Sequence, residues 1–237
     1  MTPYYSDDLV TIYHGDSREW MPEADVVVTD PPYGIGFRNG RVGVASAVRI
    51  AGGVYGRDWG TMVGDDQPFD PSGFVGRPAI LWGANHYASR LPDSGGWLVW
   101  DKKRGATASQ GMNGSDAELA WTNIGRAVRL FSYFWDGFRR DGEVGEHYHP
   151  TQKPVALMRW CVDLTTGTVL DPFMGSGTTL VAAKSMGRHA IGIEIEERYC
   201  EIAAQRCSQE TLGLSFLPPT AVSSAVQDPL PMGEDVA

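Results

Sequence analysis

The stretch from Thr168 to Glu194 admits few folds. A short apolar run, Thr168-Val169-Leu170, delivers Asp171-Pro172-Phe173-Met174-Gly175-Ser176-Gly177-Thr178-Thr179, and a helix is expected from about Thr178 to Met186, stopped by Gly187. Gly175 and Gly177 allow a tight turn and a close approach of backbone to a ligand. The helix amino terminus behind them favours electron-rich or anionic groups. Ala190 to Ile195 reads as the next strand and carries Glu194 near its end, 23 residues after Asp171. An acid in that position suits a ribose diol. No Lys follows the last glycine, so the turn is not a P-loop, and the three-glycine spacing of dinucleotide folds is missing. A plain helix-start turn with a surface Glu is the alternative. Strand, turn, helix and strand in this order imply a parallel sheet with helices packed on it.

A second strand end has the same character. Asp25 to Thr29 is a short apolar run that stops at Asp30-Pro31-Pro32-Tyr33, because two prolines cannot extend a ladder. An acid, a stiff turn and an aromatic ring are presented together at a carboxyl end, where open α/β sheets bind ligands. The Asp30 carboxylate and the Pro31 carbonyl can accept hydrogen bonds from an amine, and Tyr33 can stack on a flat ring. The tetrapeptide alone fits a base grip and a stiff turn about equally.

Other elements surround these two. Strands are expected at Leu9–Tyr13 (ending at His14-Gly15-Asp16), Pro78–Trp82, Gly96–Trp100, Ala117–Trp121 and Ala127–Phe134, with Asn123-Ile124-Gly125 as the turn between the last two. A helical turn is expected around Ser17–Met21, and helices at Asn85–Leu91, Pro154–Leu164 and Glu196–Ser208. Trp97, Trp100, Trp121, Tyr133, Phe134 and Trp135 read as core. Residues 34–64 form a long glycine-rich loop with Arg38, Arg41, Arg49 and Arg57 against one acid, Asp58. Such a loop in a compact domain is functional or disordered. A second basic loop, 102–115, opens with Lys102, Lys103 and Arg104. The expected organisation is a single α/β domain over 1–214: a mostly parallel, seven-stranded sheet with an antiparallel edge and helices on both faces. A disordered tail is expected over 215–237.

The 237 residues carry a formal charge of −9, so any affinity for nucleic acid must come from local basic patches. Cys161, Cys200 and Cys207 are too few and too scattered for a disulfide framework or a metal site. No segment has the apolar length of a membrane span, and the expected location is the cytoplasm.

The turn Asp-Pro-Phe-Met-Gly-Ser-Gly-Thr-Thr, preceded by His149-Pro150-Thr151-Gln152-Lys153-Pro154 and by the upstream Asp-Pro-Pro-Tyr, resembles the amino-methylating DNA methyltransferases. The order resembles their β class, in which the catalytic motif comes first, and the likeness covers most of Leu9 to Cys207. The resemblance implies a Rossmann-like fold that binds S-adenosylmethionine. Asp171, Phe173, Gly175, Ser176, Gly177 and Thr178 would form the pocket, with Glu194 on the ribose, Asp16 near the adenine, and Thr151 and Lys153 near the methionine end. Asp30, Pro31, Pro32 and Tyr33 would be the catalytic grip, with Asp30 also bordering the cofactor. An Asp at the first catalytic position leans to adenine N6 over cytosine N4. The resemblance implies a DNA substrate with a flipped base, contacted by the two basic loops, in a prokaryotic or phage setting. It leaves a homodimer and a restriction partner open. Trp135 to Tyr148 is too short for the family's separate recognition domain. RNA or protein-amide methylation and a non-catalytic binding module are the competing readings.

Overall fold

The computed structural model describes residues 1–36, 63–104, 115–135 and 152–209. The Arg38, Arg41, Arg49, Arg57 and Thr151 expectations lie outside these residues, as does the tail. Among the described residues nine strands form one sheet: β1 (Tyr5–Ser6), β2 (Val10–His14), β3 (Val26–Thr29), β4 (Ala79–Trp82), β5 (Gly96–Asp101), β6 (Ala117–Thr122), β7 (Val128–Ser132), β8 (Val169–Asp171) and β9 (Ala190–Glu194). Their order is β1-β2-β9-β8-β3-β4-β6-β5-β7. The α/β class expected from the sequence is therefore found, with nine strands in place of seven. β1 is two residues long, too short for any periodicity to announce it.

β3 sits mid-sheet, parallel to both β8 and β4, so the strands ahead of Asp30 and Asp171 are neighbours despite their separation in the chain. All four of its residues, Val26-Val27-Val28-Thr29, are buried. That is why the run is continuously apolar rather than alternating: a central parallel strand is covered on both faces. Antiparallel pairing is not confined to an edge. β1 is antiparallel at one edge, but β6 is interior and antiparallel to both β4 and β5. β5 lies between β6 and β7, pairing parallel with β7, so the Asn123–Gly125 turn joins strands that do not touch as a hairpin. Asn123 instead ties this turn to the start of β4, accepting from the Ala79 N–H at 2.9 Å and donating to the Arg77 carbonyl at 2.9 Å.

Three α-helices, α1 (Val155–Asp163), α2 (Thr178–Ser185) and α3 (Glu197–Ser208), pack on one face. Leu157, Met158, Cys161, Leu180, Ala183, Cys200 and Ala203 meet Val10, Ile12, Val26, Val28, Ile80 and Trp82 there. The opposite face carries Val27, Leu81, Trp121, Leu170 and Ile193, covered by Phe69, Phe74 and Tyr87. Among the described residues that second face is roofed by short 3-10 turns. The helix expected at Asn85–Leu91 is two such turns, Ala84–His86 and Ala88–Arg90, split at Tyr87 (φ −134°). The break serves Tyr87, whose ring is buried and whose hydroxyl donates to the Trp82 carbonyl at 2.6 Å. All three cysteines are buried and unbridged. Among the described residues no helix is long and apolar enough to cross a membrane.

Candidate active site

The carboxyl ends of β8 and β3 open onto one cleft of about 390 Å³. Asp30, Gln152, Lys153, Met158, Asp171 and Phe173 line it, together with Met174, Gly175, Ser176, Thr178 and Thr179 of the glycine turn. Of the site residues expected from the sequence, the fold thus brings together Asp30, Lys153, Asp171, Phe173, Gly175, Ser176 and Thr178.

Asp171 anchors the floor of this cleft. Its side chain is buried, and it accepts from the Thr29 hydroxyl at 2.6 Å, the Thr179 hydroxyl at 2.5 Å and the Phe173 N–H at 3.2 Å. One carboxylate therefore locks β3 to β8 and to the first turn of α2. Burial pushes its pKa up to about 6, against the lowering effect of the two hydroxyls. The glycine turn is fixed from behind as well. Gly177 has φ 79°, and a Cβ there would stand 2.7 Å from the Ala203 Cβ on α3. Arg206, also on α3, donates to the Ser176 carbonyl at 2.6 Å, to its hydroxyl at 3.1 Å and to the Thr178 hydroxyl at 3.3 Å.

Glu194 and Asp16 do not line the cleft. They stand at the adjoining ends of β9 and β2, where His14 pairs in register with Glu194 and the Gly15 N–H donates to the Glu194 carbonyl at 2.9 Å. The Glu194 carboxylate accepts from the Gly175 N–H at 2.9 Å and from the Glu196 N–H at 2.8 Å. It therefore braces the glycine turn from the neighbouring strand. Burial raises its pKa to about 7, outweighing those backbone bonds. Asp16 is paired with Arg18 at 2.5 Å, and that hydrogen bond, more than any other influence, holds its carboxyl below the usual range.

At the end of β3 the residues of the Asp30–Tyr33 turn form a compact polar unit. The Tyr33 hydroxyl donates to Asp30 Oδ1, and the Lys153 ammonium lies 2.5 Å from Asp30 Oδ2. The Tyr33 ring is stacked on His86, with centroids 4.7 Å apart and planes inclined by 12°. Gly83, at φ 70°, lets this stack approach β4, because a Cβ there would overlap the Tyr33 ring. Asp65 closes the turn from below. It accepts from the Gly34 N–H at 2.8 Å and the Ile35 N–H at 3.2 Å, and its carbonyl accepts from the Gly36 N–H at 2.9 Å.

Lys153 also meets Glu118 of β6, Nζ to Oε2 3.1 Å. Glu118 meets Lys102 through its other oxygen at 2.8 Å. Burial works against charge on Lys153, yet Asp30 and Glu118 overcome it and hold the ammonium well above its ordinary pKa. Burial likewise raises Glu118, but Lys153 and Lys102 bring it down to about 2. Asp30 is raised by burial, with Lys153 opposing. Lys102 and Lys103, expected as free phosphate contacts, are paired with Glu118 and Asp116. Arg104 closes the described part of that loop with φ 53°.

Sequence reasoning passed over Glu118, Arg206, Asp65 and Thr29. Glu118 had left a signal: a lone acid inside the apolar strand Ala-Glu-Leu-Ala-Trp. Arg206 and Asp65 act across the fold, with no local pattern to mark them. Among the described residues no cluster of His, Cys, Asp or Glu could hold a metal ion.

Comparison with known proteins gives a consistent picture. Residues 97–205 match the N6/N4 family described as DNA methylase. The chain is 28% identical to the type II methyltransferase M.ScaI of Streptomyces caespitosus, over 90% of this chain and 86% of that protein. It is 26% identical to the type II methyltransferase M2.DpnII of Streptococcus pneumoniae, over 88% of this chain and 93% of that one. Its fold is similar to that of PvuII DNA methyltransferase, described as cytosine-N4-specific, with a TM-score of 0.56 at 14% identity over 89% of this chain and 90% of that one. It is also similar to that of M1.HpyAVI, solved as a complex with SAM, with a TM-score of 0.52 at 20% identity over 84% of this chain and all of that one.

Proposed function

We infer that this chain, a relative of the N6/N4 DNA methylases, transfers a methyl group from S-adenosylmethionine to the exocyclic amine of a DNA base, adenine N6. One observation carries this reading: Asp30 and the glycine turn 171–179 line the same cleft, so a base grip and a cofactor cradle face each other. Phe173, Met158 and Met174 offer apolar walls to a nucleoside, while Ser176 and Thr178 add hydroxyls at a helix amino terminus. This set fits S-adenosylmethionine. When bound, that cofactor supplies a sulfonium-activated methyl group, which moves to the amine nitrogen as the C–S bond electrons return to sulfur.

The chain's own residues make the amine ready. The lone pair of a base's exocyclic nitrogen is delocalised into the ring, so the nitrogen is a poor nucleophile. Hydrogen bonds from its two N–H groups to the Asp30 carboxylate and the Pro31 carbonyl favour a tetrahedral nitrogen with a free lone pair. Pro32 keeps the turn rigid while they do so. Catalysis is then positioning and electrostatics, with no covalent intermediate. Tyr33 and Lys153 hold Asp30 in place through both of its oxygens. After transfer the amine must lose a proton, and Asp30 is the acceptor in reach. The target nitrogen is closed off inside a duplex, so the base is flipped. One face of Tyr33 is covered by His86, and the base takes the other. Glu194 and Asp16, beside the glycine turn, are assigned to the ribose and adenine of the cofactor. Arg104 and the arginines of loop 34–64 are assigned to DNA phosphates.

The test is transfer from labelled cofactor to unmethylated genomic DNA, RNA and bulk protein, with nucleoside analysis of the product. Label in DNA as N6-methyladenine is expected, and Asp30→Ala should lower the rate by about 10²–10³-fold. Label in RNA or protein but not in DNA overturns the substrate, and N4-methylcytosine overturns the choice of base.

A further inference from the structure

Lys153 has two acidic partners, and one of them lies outside the catalytic turn. Its ammonium is 2.5 Å from Asp30 Oδ2 and 3.1 Å from Glu118 Oε2. The first contact poses a problem for the methyl-transfer reading, on which this inference rests. Asp30 Oδ1 already accepts from Tyr33 and Oδ2 from Lys153. A base amine is a neutral donor, and it must compete for this carboxylate with an ammonium, a much stronger one. The ammonium cannot simply withdraw, because Lys153 is only 8% exposed and an unpaired buried charge is costly.

Glu118 resolves this. Its Oε2 is buried and makes no well-aligned hydrogen bond, although the ammonium is within reach. Its Oε1 is held by Lys102 at 2.8 Å, which fixes the side chain and keeps it ionised. It stands on β6 directly opposite Trp100 of β5, within the β5–β6 ladder that holds its backbone in register. A small rotation of the Lys153 side chain would therefore exchange one carboxylate for the other without exposing the ammonium.

We propose that Glu118 is a positioning residue that seats Lys153 while Asp30 engages the target amine. It touches neither base nor cofactor. Lys153 alternates between two acids: it keeps Asp30 ionised in the free enzyme and shifts its weight to Glu118 when the amine arrives. Without Glu118, Asp30 is the one acid among the described residues left to pair with Lys153, which then competes with the substrate for it.

The consequence is an epistatic signature that loss of structure would not give. Initial rates of methyl transfer to unmethylated genomic DNA would be measured at about pH 8.5, above the carboxylate range, for wild type, Glu118→Gln, Lys153→Met and the double variant. Glu118→Gln should slow transfer at saturating substrates by on the order of 30-fold, the equivalent of roughly one hydrogen bond to a charged group lost. The KM for the cofactor should stay within about threefold of wild type, because Glu118 does not line the cleft. Adding Lys153→Met to Glu118→Gln should raise the rate at least about fivefold, because the competitor is then gone. If Glu118→Gln does not fold, Glu118→Asp, which draws the charge back by one carbon, carries the same comparison. A rate for Glu118→Gln equal to wild type, or a double variant no faster than the single one, overturns the proposal. A wild type that labels no DNA overturns the methyl-transfer reading itself, so the two failures are told apart by the first reaction in the series.

Discussion

Asp171→Asn should make the protein more stable at neutral pH while impairing its activity. The wild-type carboxyl is 3% exposed and is raised from 3.8 to about 6, chiefly by burial. A folded-state pKa above the unfolded value means that folding favours the protonated form. Its contribution is fully present below about pH 4 and is lost as pH rises through about 6. The difference amounts to about 3 kcal/mol at 1.36 kcal/mol per pH unit. Asn resembles the protonated acid and escapes this loss. It must also turn one of its two ends from acceptor to donor, facing either the Thr29 or the Thr179 hydroxyl, at a cost of about 1 kcal/mol. The net expectation is a gain of about 2 kcal/mol at pH 7, shrinking to nothing or reversing near pH 4. Urea unfolding of both proteins across this pH range measures it. The reasoning fails if the variant is less stable than wild type at pH 7, or if the difference does not change between pH 4 and 7. Activity should fall, because the negative charge at the floor of the cleft is lost.

Other expectations follow from single contacts. Gly83→Ala should keep the fold yet displace Tyr33 from Asp30, lowering transfer by about tenfold or more and weakening the unfolding free energy by roughly 1–2 kcal/mol for the left-handed backbone. Steady-state rates and a melt on the same sample check this. Arg206→Met removes three hydrogen bonds behind the glycine turn. Calorimetric titration should show cofactor affinity about tenfold weaker, with a melting point only a few degrees lower. Asp7 is buried enough to be raised, but the Lys184 and Tyr5 hydrogen bonds outweigh that and hold its carboxyl well below the usual range. Its stabilisation is therefore present above about pH 4 and lost as pH falls further, so Asp7→Asn should flatten the acid limb of the stability curve.

How much was legible in the sequence depends on the range of the interactions. β3 and β8 were readable because a central parallel strand must be continuously apolar, and because prolines and glycines mark where such strands stop. Asp30 and Asp171 were readable for the same reason: each ends such a run. The 3-10 turns around Tyr87 were not, because a single buried hydroxyl bond to the Trp82 carbonyl decides the backbone there, and no periodicity announces it. The insertion of β5 between β6 and β7 was equally invisible, since register is settled by partners distant in the chain. The charge of Lys102 and Lys103 looked free in the sequence and is paired in the fold, because β6 and the residue before it bring Glu118 and Asp116 alongside. The same strand supplies the second seat of Lys153, which a motif centred on Lys153 alone could not reveal.

A base-resolution methylation map of a host lacking other methyltransferases, expressing either this protein or its Asp30→Ala variant, tests the central claim most directly. N6-methyladenine present in the first culture and absent from the second is the predicted result. An unmodified genome in the first culture, with folded protein that binds cofactor, would contradict it.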